Sequence, residues 1–179
     1  MQQETNLREA LSDSKNPNQY VLIEKALQKL QLNEMCQPNG IHKELVNQAQ
    51  EELKELKRMY LLKIAIASLD QKTIAEIRSF DQPKPEIVDC MKCVFLLLGS
   101  PVKDVQTWKQ LRGLIGKMGK ESLKRKINEF TVANVGLSKK VVAEAKKLNA
   151  KVDVARVSEV STGATAFYAW CTGVLEELN

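Results

Sequence analysis

Residues 73–99 read TIAEIRSFDQPKPEIVDCMKCVFLLLG, and this stretch decides how the rest of the chain is organised. A polar helical pattern arrives at Phe80 and is broken at Pro83 and Pro85. A proline in a first helical turn removes only an N–H that has no intrahelical partner, so a new helix can begin at once. Glu86 and Asp89 then fall in a first turn, where negative charge is favourable. The new helix carries Ile87, Val88, Met91, Val94, Phe95, Leu97 and Leu98, so it is apolar on most sides. Such a helix belongs in a core. Upstream of the prolines the pattern predicts a rod; downstream it predicts a small basic helical head.

Between Ile41 and Phe80 there is neither proline nor glycine. About forty residues in one helix would span roughly 60 Å. Val46, Leu53, Tyr60, Ala67 and Ile74 repeat at one heptad position. Ala49 and Leu56 repeat at the other, where Lys63 and Asp70 interrupt. That is an imperfect coiled-coil seam, which fits a long helix packed within a bundle as well as a paired rod. Ahead of it, Asn16-Pro17-Asn18 and Gln37-Pro38-Asn39-Gly40 are turn signals on either side of a helix with Ile23, Leu27 and Leu30 on one face. After Gly99 the pattern predicts helices over Val105–Ile115, Lys120–Phe130 and Ser138–Leu148. A last helix from about Val154 to Leu178 would return along the rod. The expected division is a polar N-terminal segment with a short helix (1–40), a stalk-like helix (41–80) and a helical bundle (81–179). The fold class is all-α: a small bundle on a long antiparallel helical or coiled-coil hairpin. Scarce aromatics (5%) and only 8 glycines in 179 residues agree with helix over sheet.

The net charge of +5 is unevenly spread. Residues 1–100 carry 13 basic and 14 acidic side chains, residues 101–151 carry 13 and 4, and residues 152–179 carry 1 and 4. The positive field therefore sits in the middle third, and a negatively charged partner should meet the protein there. The four cysteines read as reduced thiols of a cytosolic-type compartment, since no secretory core or transit character precedes them. The longest apolar run, at 94–99, is too short to span a bilayer.

Catalytic and cofactor chemistry finds little support. Cys90-x-x-Cys93 lies inside an apolar helix, away from paired ligands, and reads as buried structural thiols. Gly113, Gly116, Gly119 and Lys120 lack the spacing and the Lys-Ser/Thr of a phosphate loop. His42 is the only histidine and sits at the start of the polar rod. No catalytic residue, metal ligand or cofactor is assigned, and the protein is expected not to be an enzyme.

A familiar order now emerges. A helix ending AEIRSF is followed by the proline break, the core helix IVDCMKCVFLLLG and the tryptophan helix TWKQLRGLIGKM. KRKINEF, SKKVVAEAKKLN and ARVSEVSTGATAFYAW complete the series. Over about residues 72–179 this order resembles the stalk-tip microtubule-binding domain of dynein heavy chains, here without a motor. The resemblance implies six helices on an antiparallel coiled coil, with the first, third and sixth helices forming most of a microtubule-facing surface. It departs from the family at Val88, with Asp89 beside it, where a basic residue is usual. It departs again around Phe167, where Ala166 or Ala169 takes the place of a basic neighbour.

The expected function is therefore a non-enzymatic microtubule-associated or axonemal protein of the cytoplasm and cytoskeleton, in a cilium or flagellum. It would bind tubulin or another acidic surface through Lys84, Lys109, Arg112, Lys117, Lys120, Lys124, Arg125, Lys126 and Arg156. One alternative is an axonemal scaffold that binds a partner helix through the rod seam at Leu53 and Leu56. A weaker one is nucleic-acid binding, which lacks aromatic interleaving or a known motif. No membrane partner is expected.

Overall fold

Every regular element among the described residues is helical. The computed structural model describes residues 2–34 and 43–179, in which eleven α-helices and two single 3-10 turns occur and no strand. The expected turn at 37–40, Cys36 and His42 lie outside the described residues. The chain divides into two units, Met1–Tyr60 and Leu61–Asn179.

The first unit holds α1 (Gln2–Ser12), α2 (Gln19–Glu34) and most of α3 (Lys43–Ala67). α1 arises within the segment expected to be polar. Leu7, Ala10 and Leu11 make one stripe at helical spacing, enough for a short helix once α2 covers it. Gln19 is buried and caps α1, its side-chain amide donating to the carbonyls of Ala10 (3.4 Å) and Leu11 (3.1 Å). Leu7, Ala10, Ile23, Ala26, Leu27, Leu30, Leu45 and Ala49 form the core. Val46, Leu53 and Leu56 pack against it. Tyr20 stacks on Tyr60 with centroids 4.4 Å apart. The seam read from the heptads is therefore occupied within this unit.

The uninterrupted rod of 41–80 does not occur. α3 stops at Ala67 and α4 (Gln71–Ser79) begins after Asp70. Asp70 is the N-cap: its carboxylate accepts from the Thr73 backbone N–H (2.7 Å) and hydroxyl (2.8 Å). These hydrogen bonds hold the carboxyl below the usual aspartate range. A residue that looked like a flaw in a heptad is a helix start.

The proline joint stands as expected. α5 (Pro85–Leu97) starts directly on it, with no side-chain cap and proline at its first position. It ends in a Schellman turn: Gly99, at φ +87°, donates to the Leu96 carbonyl, and Ser100 donates to that of Phe95. α5 is the centre of the second unit. Around it lie α6 (Trp108–Ile115), α9 (Lys139–Lys151), α10 (Val154–Val160) and α11 (Thr162–Glu177). α7 (Leu123–Glu129) and the one-turn α8 (Val132–Val135) complete the series, α8 ending at left-handed Gly136. Ile87, Met91, Cys93, Val94, Leu96 and Leu97 of α5 are fully covered, as are Phe167, Trp170 and Val174 of α11. Phe130 meets Trp170 edge-on at 5.1 Å.

The single last helix expected from Val154 is two. Ser161 is buried, ends α10 and caps α11 by accepting from the Ala164 N–H at 3.3 Å. Ser161→Ala leaves that buried N–H unpaired, and we expect a loss of about 1–2 kcal/mol in urea unfolding followed by circular dichroism. Wild-type stability in that variant would mean the junction is held by packing alone.

Candidate functional site

The nine cationic residues singled out by sequence fall in two groups, and most are already engaged. The first group surrounds the proline joint. Trp108, at the start of α6, donates its indole N–H to the Phe80 carbonyl at 2.6 Å and so fixes the end of α4. One turn on, Arg112 pairs with Asp81 at 3.4 Å. Arg156 of α10 reaches Glu86 at 3.2 Å and Asp153 at 3.7 Å. The Glu86 carboxyl is held below its ordinary range, first by its own backbone N–H and then by Arg156. Lys84 is exposed at the N-cap of α5 and, among the described residues, forms no ion pair.

The second group covers α6, the loop after it and helix α7. Lys126 pairs with Glu121 at 2.7 Å, and Arg125 pairs with Glu129 at 2.7 Å within α7. Lys109, Lys117 and Lys120 are exposed, with no carboxylate partner in ion-pair range among the described residues. Met118, 82% exposed, stands between the last two. Gly113, Gly116 and Gly119 do not form a phosphate loop. Gly116 closes α6 under the Arg78 guanidinium, and Gly119 opens a 3-10 turn at φ +62°.

Lys124, half-buried, reaches the end of α3. Its ammonium donates to the carbonyls of Ala67 (3.2 Å) and Leu69, the unsatisfied acceptors at the end of α3. The converse contact comes from Lys63 of α3, which donates to the carbonyls of Asn128 (3.4 Å) and Phe130 at the end of α7. Each helix thus closes the other's C-terminus with a lysine, where positive charge is favourable. Burial lowers the Lys63 pKa to about 8, with the Glu177 carboxylate acting in the opposite direction. Sequence reading took Lys63 for a seam interruption and Lys124 for a surface charge.

Two further features bear on the chemistry. Cys90 and Cys93 of α5 and Cys171 of α11 are buried in the core, with Cys90 donating to the Ala164 carbonyl and Cys93 to that of Ala145. Burial pushes the Cys90 and Cys171 thiols up, away from the reactive thiolate. Among the described residues no three His, Cys, Asp or Glu side chains come together as a metal-holding group. Asp89, the departure noted on the first core helix, is half-buried and its carboxyl is raised by desolvation, against the pull of Lys151 and Lys92.

Among the described residues no helix is long and apolar enough to cross a membrane. Compared with known proteins, the chain matches no family model, no curated protein and no solved structure.

Proposed function

We propose that this chain is a non-enzymatic helical protein that binds the acidic surface of a microtubule or of an axonemal neighbour, as a stalk-tip-like head without a motor. The carrying observation is the concentration of exposed cations on the head beyond the proline joint. Among the described residues Lys84, Lys109, Lys117 and Lys120 have no carboxylate in ion-pair range, so an acidic surface can gain their charge without first breaking an internal pair. The order of elements supports the same reading: six α-helices, α5 to α10, lie between the joint and α11. Its setting is the cytoskeleton, and a cilium or flagellum is the proposed address.

The paired cations rank differently. Arg112, Arg125, Lys126 and Arg156 must exchange an internal carboxylate for an external one, and Lys124 would have to abandon the end of α3. We therefore assign binding first to the four unpaired lysines. Co-sedimentation with stabilised microtubules tests this. At low salt the protein pellets; raising salt to about 0.3 M releases it, because exposed charges are screened over a few ångströms there. Lys84→Glu together with Lys117→Glu and Lys120→Glu abolishes pelleting at low salt. Failure of the unaltered protein to pellet at low salt overturns microtubule binding, and salt-insensitive pelleting overturns the electrostatic mechanism.

A further inference from the structure

A further cationic surface lies elsewhere, on α9. Its buried side carries Ala145 and Leu148. Its exposed side carries Lys139, Lys140, Ala143, Lys146, Lys147, Ala150 and Lys151. Among the described residues none of the five lysines is in an ion pair. Lys146 donates to the Asn179 side-chain oxygen at 2.5 Å, and Lys151 lies in the field of Asp89 on α5. The helix has one acidic residue, half-buried Glu144. α9 packs on α5 and α11, whereas the residues ranked above sit at the joint, on α6 and in the loop beyond it. This is a second face, separate in sequence: α5 is a packing partner of both α6 and α9, but only α9 also packs on α11.

We infer that the exposed face of α9 is a docking surface for a flexible acidic peptide, a run of glutamate or aspartate. The reasoning is from spacing and donor type. Lys139/Lys140 and Lys146/Lys147 are two pairs seven residues apart, about 10 Å along a helix. An extended chain covers that distance in about three residues, so closely spaced carboxylates meet both pairs without a fixed register. Lysine supplies mobile point charges on long stems, suited to a partner with no rigid geometry. Nucleic-acid interfaces draw on arginine, neutral side-chain donors and base-stacking aromatics, and the exposed side of α9 has only lysine and alanine. An interfacial membrane helix needs Trp, Phe or Leu beside its charges, and here the apolar side is used by the protein's own core.

The inference does not depend on microtubule binding, and its test contains none. Fluorescence anisotropy is measured at low salt with a labelled oligoglutamate of about twelve residues, an equally labelled DNA duplex and phosphatidylserine vesicles. The protein binds the oligoglutamate more tightly than either other probe. Lys139→Gln, Lys140→Gln, Lys146→Gln and Lys147→Gln combined weaken that binding roughly ten-fold or more, while Lys84→Gln, Lys117→Gln and Lys120→Gln combined weaken it less than about two-fold. All seven positions are exposed, and an unchanged circular dichroism melt verifies that both variants fold. Equal loss in the two variants, no loss in the α9 variant, or tighter binding to DNA or vesicles overturns the assignment.

Discussion

Trp170→Ala should lower the unfolding free energy by about 3–5 kcal/mol, the largest effect expected of any single substitution here. Trp170 has no exposed surface and lies on α11 at the middle of the second unit, edge-on to Phe130 at 5.1 Å. Truncation removes the apolar area of the largest fully buried side chain and leaves a cavity that a close-packed core closes only in part. The indole N–H adds a second discriminating measurement, because it is buried with no acceptor among the described residues. Trp170→Phe loses less apolar contact, keeps a ring against Phe130 and removes that unpartnered donor. It should cost no more than about 2 kcal/mol, well short of the alanine variant. Urea unfolding followed by far-ultraviolet circular dichroism measures both. An alanine variant within about 1 kcal/mol of wild type would show that the packing around α11 does not set the stability of the unit.

The second large effect is a pH dependence centred on Lys63. Its pKa falls to about 8 in the folded chain through desolvation, against an ordinary value of 10.5. Between these values the unfolded chain binds more protons than the folded one, so stability rises with pH across that window. Below about pH 8 the protein carries the full cost of holding a charged ammonium out of water. Lys63→Met removes the titration. Its stability relative to wild type should therefore decline by roughly 2–3 kcal/mol between pH 7.5 and 10.5. At the lower pH methionine forfeits the bonds to the Asn128 and Phe130 carbonyls but also the desolvation cost. Parallel unfolding curves for the two proteins at every pH would mean that Lys63 keeps an ordinary pKa and that the carbonyls compensate fully for burial.

Much of this architecture is legible in the residues. The proline joint and the buried helix beyond it follow from Pro83, Pro85 and the apolar run to Leu98, and Gly99 ends α5 in the left-handed turn that favours glycine. Other features use signals that compete at one position. Asp70 interrupts a heptad and also caps a helix. The cap prevails because Thr73 stands three residues on, with both a backbone N–H and a hydroxyl to offer. Ser161 is read through in the same way: Thr162-Gly163-Ala164 continues a helical pattern, yet the serine oxygen takes the Ala164 N–H and starts a new helix. The candidate site was legible as composition but not as availability. Arg112 finds Asp81 31 residues away and Arg156 finds Glu86 70 residues away, so charge counting overstates what those residues can offer a partner. The face on α9 shows the reverse: its lysines are counted equally in the sequence, and only burial of Ala145 and Leu148 sets them together on the outside.

The exchange of lysines between α3 and α7 has a kinetic corollary. Lys63 and Lys124 each stand on one helix and hold carbonyls at the end of the other, so neither terminal turn can fray alone without uncovering the acceptors of both. Opening should then be one event. The Ser68 and Leu69 amides, bonded to Ile64 and Ile66, and the Phe130 amide, bonded to Ile127, should exchange their hydrogens with a common opening free energy, although about sixty residues separate them. Lys124→Met should accelerate exchange at Phe130 as well as at Ser68 and Leu69. The two helix ends would then behave as a single cooperative latch, released or retained as a whole.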